Sequence, residues 1–202
     1  RDLPVVCGGL FHHSSGCYSV ESRVKALNRA AEMRLLMAER VSVMAGLLTG
    51  IRYPAEEYQK AWKSVLFNQF HDILAGTSLR ESYEDAAEDY GYALHAAGRG
   101  LNSAVQSLSW QINIPMEEGM KPLVVVNPNA FNTKAEVQAE SWTLKEGTVL
   151  LDENGNQIPC QLVQSSAALK GRCRICFVAD LPSLGWRTYR FAVRAKAETF
   201  PE

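Results

Sequence analysis

Residues 68–78 read Asn68-Gln69-Phe70-His71-Asp72-Ile73-Leu74-Ala75-Gly76-Thr77-Ser78. Polar, aromatic and metal-binding side chains crowd into this short stretch, which the surrounding pattern places at a turn between two helices. A turn held by rigid elements on both sides is a good place for a functional group. Histidine binds a metal as the neutral imidazole, with its second ring nitrogen held by another group. From the residues alone a plainer account also stands. His71 falls where the preceding helix should end, and a helix C-terminus stabilises an imidazole without any ligand. Asp72 can close the turn, Thr77 or Ser78 can cap the next helix, and Asn68 and Gln69 can be ordinary exposed polar residues.

The other chemistry-bearing residues are more dispersed. His12 and His13 lie in a Gly-rich opening segment and read as a surface pair, with an interface role as the alternative. Cys173 and Cys176 have C-x-x-C spacing but fall in an expected strand, where side chains three apart point to opposite faces. A second C-x-x-C, needed to complete a zinc site, is missing from the sequence. His95, Tyr83 and Tyr90 fall on an expected helix and read as packing or surface residues. Trp62 and Trp110 read as core or junction aromatics. Trp142 and Trp186 sit among expected strands, where core packing competes with stacking on a sugar.

Three helices should position the 68–78 turn. Val24, Leu27, Ala31, Leu35, Ala38, Val41, Ala45 and Leu48 recur at steps of three and four, predicting a helix over 21–48 with Ser19 as its N-cap and Gly50 beyond its end. Pro54 suits the first position of a second helix, with Glu56 and Glu57 in its first turn, reaching Phe70 or His71. Ser78-Leu79-Arg80-Glu81 has the capping-box pattern. It opens a third helix whose Tyr83, Ala87, Tyr90, Leu94, Ala97, Leu101, Ala104 and Leu108 form a seam. Short connections make this an antiparallel three-helix bundle over 21–109, entered through 1–20 from an upstream domain. Residues 110–122, with Pro115, Gly119 and Pro122, read as a linker. Strand signals follow at 123–126, 149–151, 158–163, 174–179 and 187–193, with a hairpin turn at Asp152-Glu153-Asn154-Gly155-Asn156. The expected class is therefore α+β, a helical bundle followed by a β-sandwich-type domain over 123–202, either whole or cut short.

Bulk properties narrow the function. The chain has 202 residues, 47 % hydrophobic and 21 % charged, with a net charge of −1. Without a basic face it has nothing for nucleic acid or an anionic membrane to bind. Its apolar runs fall short of the ~20 residues that span a bilayer. Five scattered cysteines do not form a disulfide framework, and a reducing cytoplasm is the expected location. The first residue is Arg1 rather than Met, which suggests a processed product or an excised segment.

The stretch Phe67 to Ser78 closely resembles the NQFHDILPGTS-type signature in the middle domain of glycoside hydrolase family 38 α-mannosidases, most closely the bacterial and cytosolic branch. Ala75 stands where that family usually has proline. Upstream, His13-Ser14-Ser15-Gly16-Cys17-Tyr18-Ser19 and Lys25-Ala26-Leu27-Asn28-Arg29 resemble the start of the same domain. Downstream, Val124-Val125-Val126-Asn127-Pro128 resembles the start of the family's β-domain, and Leu184-Gly185-Trp186-Arg187-Thr188-Tyr189 one of its strands. The matches span nearly the whole chain in the right order.

The resemblance implies a zinc-dependent retaining α-mannosidase acting on terminal α-mannosidic bonds, with an N-terminal α/β catalytic domain, a helical middle domain and β-domains. It implies that His71 is a zinc ligand and that Asp72 hydrogen-bonds sugar hydroxyls. The remaining ligands, a His-x-Asp pair and the Asp nucleophile, would come from the N-terminal domain. Retaining hydrolysis needs two carboxyl groups, and by the resemblance neither lies in this chain. The expected partners are therefore a mannose-containing glycan and the catalytic domain of the same polypeptide, with homo-oligomerisation possible. The chain alone should be inactive. Two other readings stay open: a non-catalytic carbohydrate-binding or scaffolding module, and a structural helical spacer. An upstream α/β region with a His-x-Asp separates them. If the enzyme reading holds, His71 and Asp72 should lie exposed on one face of the helices, with apolar surface around them.

Overall fold

The computed structural model describes residues 2–9, 15–115, 118–142, 147–165 and 172–193, with the side chain of Trp142 left out. His12, His13 and Ser14 lie outside the described residues. The class is α+β: among the described residues, four α-helices precede seven antiparallel strands. The chain divides into two compact units, Arg1–Ala104 and Val105–Glu202.

Helix α1 spans Ser22–Thr49. Ser19 was expected to cap it, but its hydroxyl donates to the Gly16 carbonyl at 2.7 Å within a short 3-10 turn, Cys17–Ser19. Glu21, in the left-handed region at φ 48°, redirects the chain into the helix instead. The buried face carries Val24, Ala31, Leu35, Ala38, Val41 and Ala45, as the spacing predicts, and Gly50 closes the helix at φ 75°. Leu48 departs from that face and is exposed in the last turn.

Helix α2, Ala55–Phe67, follows Pro54 directly and buries Tyr58, Ala61 and Val65. It ends three residues before the first expected terminus. Phe70 leaves helical space at ψ 140°, and its carbonyl accepts the N–H groups of Ile73 and Leu74, both at 3.0 Å. These bonds start a separate helix, α3, over His71–Ala75. Gly76, at φ 86°, ends it. A Cβ there would stand 2.7 Å from the Val20 carbonyl oxygen, so only glycine fits against the segment preceding α1. Helix α4 runs Arg80–Gln111.

The three long helices share one core, built largely of alanine: Ala31 and Ala38 from α1, Ala61 from α2, and Ala86, Ala93, Ala96 and Ala97 from α4. Small residues let helix backbones come close, and Tyr58 and Tyr90 fill the remaining space. Gly100 makes room for Tyr58, whose hydroxyl would lie 2.1 Å from any Cβ at that position.

The strands are β1 (Lys121–Asn127), β2 (Thr133–Trp142), β3 (Thr148–Leu151), β4 (Gln157–Ile158), β5 (Cys160–Val163), β6 (Arg172–Leu181) and β7 (Gly185–Val193). They form a four-stranded sheet, β1-β7-β3-β4, and a three-stranded sheet, β2-β6-β5. One apolar cluster draws on both: Leu150, Tyr189 and Phe191 from the first, Ile175, Phe177 and Leu181 from the second. Three expectations need correction. The strand expected over 158–163 is two strands in different sheets, separated at Pro159, which has no N–H to offer a ladder. The linker expected to reach 122 stops earlier, because Lys121 and Pro122 already pair with β7. Proline is tolerated there since β1 is an edge strand. Strand β2 was not anticipated: its inward residues include the small Ala135 and Ala139, which weaken the alternating signal, and its pairing with β6 supplies the stabilisation.

Candidate functional site in the helical unit

The turn joining α2 to α3 is held by side chains from all the helices around it. Asn68 is buried. Its amide donates to the Ser64 carbonyl at 2.9 Å and to the Asp89 carboxylate on α4 at 2.8 Å. Gln69 reaches the other way, donating to Asn28 Oδ1 at 3.2 Å and Glu32 Oε1 at 2.8 Å, both on α1. The Tyr90 hydroxyl on α4 lies 3.1 Å from Asn28 Oδ1 and 3.3 Å from the Asn68 carbonyl oxygen, a bifurcated donor between two acceptors. Burial, followed by the nearby Glu32 and Asp89 charges, pushes the Tyr90 phenol up to about 12.

Beyond this buried layer the chain turns outward. His71 is the first residue of α3, and its side chain is 78 % exposed. Its ring packs against Phe70 with centroids 4.2 Å apart, and Nε2 lies 3.6 Å from Asp72 Oδ1. Asp72, with its side chain half exposed, accepts from the Thr77 hydroxyl at 3.1 Å. Its backbone carbonyl accepts the Thr77 N–H at 3.0 Å and the Tyr83 hydroxyl at 3.3 Å, while Tyr83 in turn accepts the Ser78 N–H at 2.9 Å. Leu66, Phe67, Phe70 and Leu79, from the same stretch, are all exposed.

This arrangement removes the dipole account of His71. That account placed the imidazole in the last turn of a helix, but the ring opens a new helix and gains nothing from a C-terminus. Asn68 and Gln69 are not ordinary exposed residues either, since both are committed to other helices. Tyr83 and Tyr90, read from sequence as packing or surface residues, also hold the turn's backbone. Their seven-residue spacing was visible, but not the hydroxyl partners.

An exposed imidazole beside a carboxylate can donate a nitrogen to a metal and hydrogen-bond a polyol. It cannot enclose a metal by itself. Among the described residues no three His, Cys, Asp or Glu side chains converge to do so. His95 is exposed on α4, Trp62 packs against the helical core, and Trp110 is exposed near the end of α4. Trp186 is half-buried on β7. Cys173 and Cys176 alternate along β6, where Cys173 Sγ contacts the Ser141 carbonyl at 3.8 Å. The Cys176 thiol is pushed up by burial and then by the Glu136 carboxylate. No described helix is long and apolar enough to cross a membrane.

Residues 12–108 match the family described as the alpha mannosidase middle domain. Over 87 residues, 42 % of this chain and 8 % of the relative, it is 31 % identical to an alpha-mannosidase of Saccharomyces cerevisiae. Over 132 residues, 63 % of this chain and 12 % of the relative, it is 30 % identical to the mouse alpha-mannosidase 2C1. The chain thus spans about a tenth of the curated relatives' length. Two solved structures share the fold at 18 % identity, both from Enterococcus faecalis. An alpha-mannosidase has a TM-score of 0.74 over 93 % of this chain and 25 % of its own. A protein in glycosyl hydrolase family 38 has a TM-score of 0.72 over all of this chain and 27 % of its own. The family match thus identifies residues 12–108, which carry the His71 turn, as an alpha mannosidase middle domain.

Proposed function

We propose that this chain is the middle segment of a zinc-dependent retaining α-mannosidase, contributing His71 as one zinc ligand and Asp72 as one contact to the mannoside. The observation that carries this reading is the exposure of the His71 imidazole on a turn otherwise pinned by buried hydrogen bonds. A largely exposed ring on a rigid support is what a shared metal centre needs from one of its two sides. The donor set fits zinc, which takes nitrogen and oxygen ligands. The missing donors would come from the catalytic domain of the same polypeptide, and the exposed Phe67, Phe70 and Leu79 suit a face that such a domain covers.

When bound, the metal supplies Lewis acidity and orients the sugar ring. What this chain supplies is placement. His71 presents its imidazole at the start of α3. Thr77 holds one carboxylate oxygen of Asp72, leaving the other for a sugar hydroxyl. The nucleophile and the acid/base would lie outside the chain. In this reading residues 21–109 act as a three-helix bundle and 123–202 as a β-sandwich-type domain, and five cysteines that form no disulfide among the described residues suit the cytoplasm.

In the full-length protein, His71→Ala should lower zinc affinity and α-mannoside hydrolysis together, by about 100-fold or more. The chain by itself should not hydrolyse an aryl α-mannoside. Wild-type zinc content and turnover in the variant, or chelator-sensitive turnover by the isolated chain, would sink the assignment.

A further inference from the structure

We infer that Tyr90 is a positioning residue for His71, acting through the α2–α3 turn from a helix that does not itself carry the metal-binding side chain. The inference rests on the zinc role proposed for His71.

The geometry is specific. Two residues separate the buried Asn68 from His71, and Asn68 is tied to the structure from both ends. Its side chain is anchored to Asp89 on α4, and its carbonyl lies against the Tyr90 hydroxyl, one residue further along the same helix. That hydroxyl also meets Asn28 Oδ1, the atom that receives the Gln69 amide. Tyr90 therefore closes a loop of contacts linking α1, the turn and α4, and the residues it joins immediately precede the exposed ring. Of the two core tyrosines, Tyr90 is the one whose hydroxyl reaches the turn. The Tyr58 hydroxyl, equally buried, is shared with Ser42 on α1 at 2.7 Å. Tyr58 sits ten residues before Asn68, most of them helical, which places it about 15 Å away along α2. The hydroxyl of Tyr90 has no role in filling the core that phenylalanine could not take. What it adds is a directional bond that limits how far the turn can rotate. Outer groups that orient a ligand in this way typically govern metal affinity by 10- to 100-fold.

The test is made on the full-length α-mannosidase carrying this segment, with Tyr90→Phe, Gln69→Ala, Tyr58→Phe and His71→Ala compared. Zinc affinity is measured by competition against a chelator, kcat and KM with an aryl α-mannoside, and amide hydrogen exchange over residues 69–77. Tyr90→Phe and Gln69→Ala should each weaken zinc by about 10-fold, lower kcat/KM and speed exchange across the turn. Tyr58→Phe, which removes a comparable buried hydroxyl from the same core, should leave all three near wild type. Tyr90→Phe with unaltered zinc affinity, while His71→Ala loses the metal, would overturn the inference and leave the ligand assignment standing. Equal zinc losses in Tyr58→Phe and Tyr90→Phe would also overturn it, because general destabilisation would then be the cause. If His71→Ala retains zinc, both the inference and the ligand assignment fail.

Discussion

Each unit of the molecule buries one asparagine, and their partners differ. Asn127, at the end of β1, donates its amide to the Phe131 and Pro182 carbonyls, both at 2.9 Å, and accepts the Asn129 N–H at 3.0 Å. All its partners are backbone, and it fastens loops at one end of the sheets. Asn68 instead reaches a carboxylate on another helix, and its own carbonyl is met by a tyrosine hydroxyl. One asparagine closes a structure, while the other ties the end of α2 to α4 beside a turn that presents an imidazole. The contrast extends to the cores. The β unit is held by backbone ladders over an aliphatic and aromatic cluster. The alanine-rich helical unit threads polar side chains between its helices. Such polar layers are costly if half satisfied, and they specify one arrangement when complete.

The strongest way to sharpen this contrast is at two glycines in left-handed turns. Gly76→Ala would force a Cβ to within 2.7 Å of the Val20 carbonyl at φ 86°. Gly155→Ala, at φ 81° in the β3–β4 turn, would meet only the Arg190 guanidinium, at 3.6 Å. The first should cost about 3 kcal/mol and displace α3, and the second about 1 kcal/mol, from backbone strain alone. Urea unfolding measures both, and equal costs would show that α3 is free to shift. Next, Asn68→Ala and Asn127→Ala should each cost about 2 kcal/mol through abandoned buried partners. Only the former should lower zinc affinity in the full-length protein. Loss of zinc in the Asn127 variant would break the division of labour between the units.

A further effect is alkaline. Tyr90 is held near 12 by burial, then by Glu32 and Asp89, against an ordinary value of 10.0. The folded state therefore holds that proton more tightly than the unfolded chain. Its contribution is complete below pH 10 and is lost as pH rises from 10 through 12, on the order of 2 kcal/mol. Tyr53 is raised to about 12 by burial and then Glu39, and adds in the same direction. In the β unit the Cys160 thiol is pushed by burial from 9.0 to about 11, which sets an earlier window between those values. Far-UV circular dichroism against pH should show helix loss beginning above pH 10. Tyr90→Phe should shallow that slope, and an unchanged slope would show that another group governs it.

The sequence by itself determined much of this protein. Apolar residues at steps of three and four marked α1 and α4, Pro54 with Glu56 and Glu57 marked α2, and a string of local residues marked the turn that carries His71 and Asp72. Both signals are short-range, written in neighbours a few positions apart. Tertiary structure decided the rest. The break at Phe70 that opens α3 depends on Gly76 fitting against Val20, more than fifty residues earlier. The ladder with β6 made a strand of Thr133–Trp142 despite its small inward residues. The turn's support joins Gln69 to Asn28 across 41 positions and Tyr90 to Asn28 across 62. Hydrogen bonds between residues so far apart leave no periodicity in the chain, because their partners are chosen by how the helices pack.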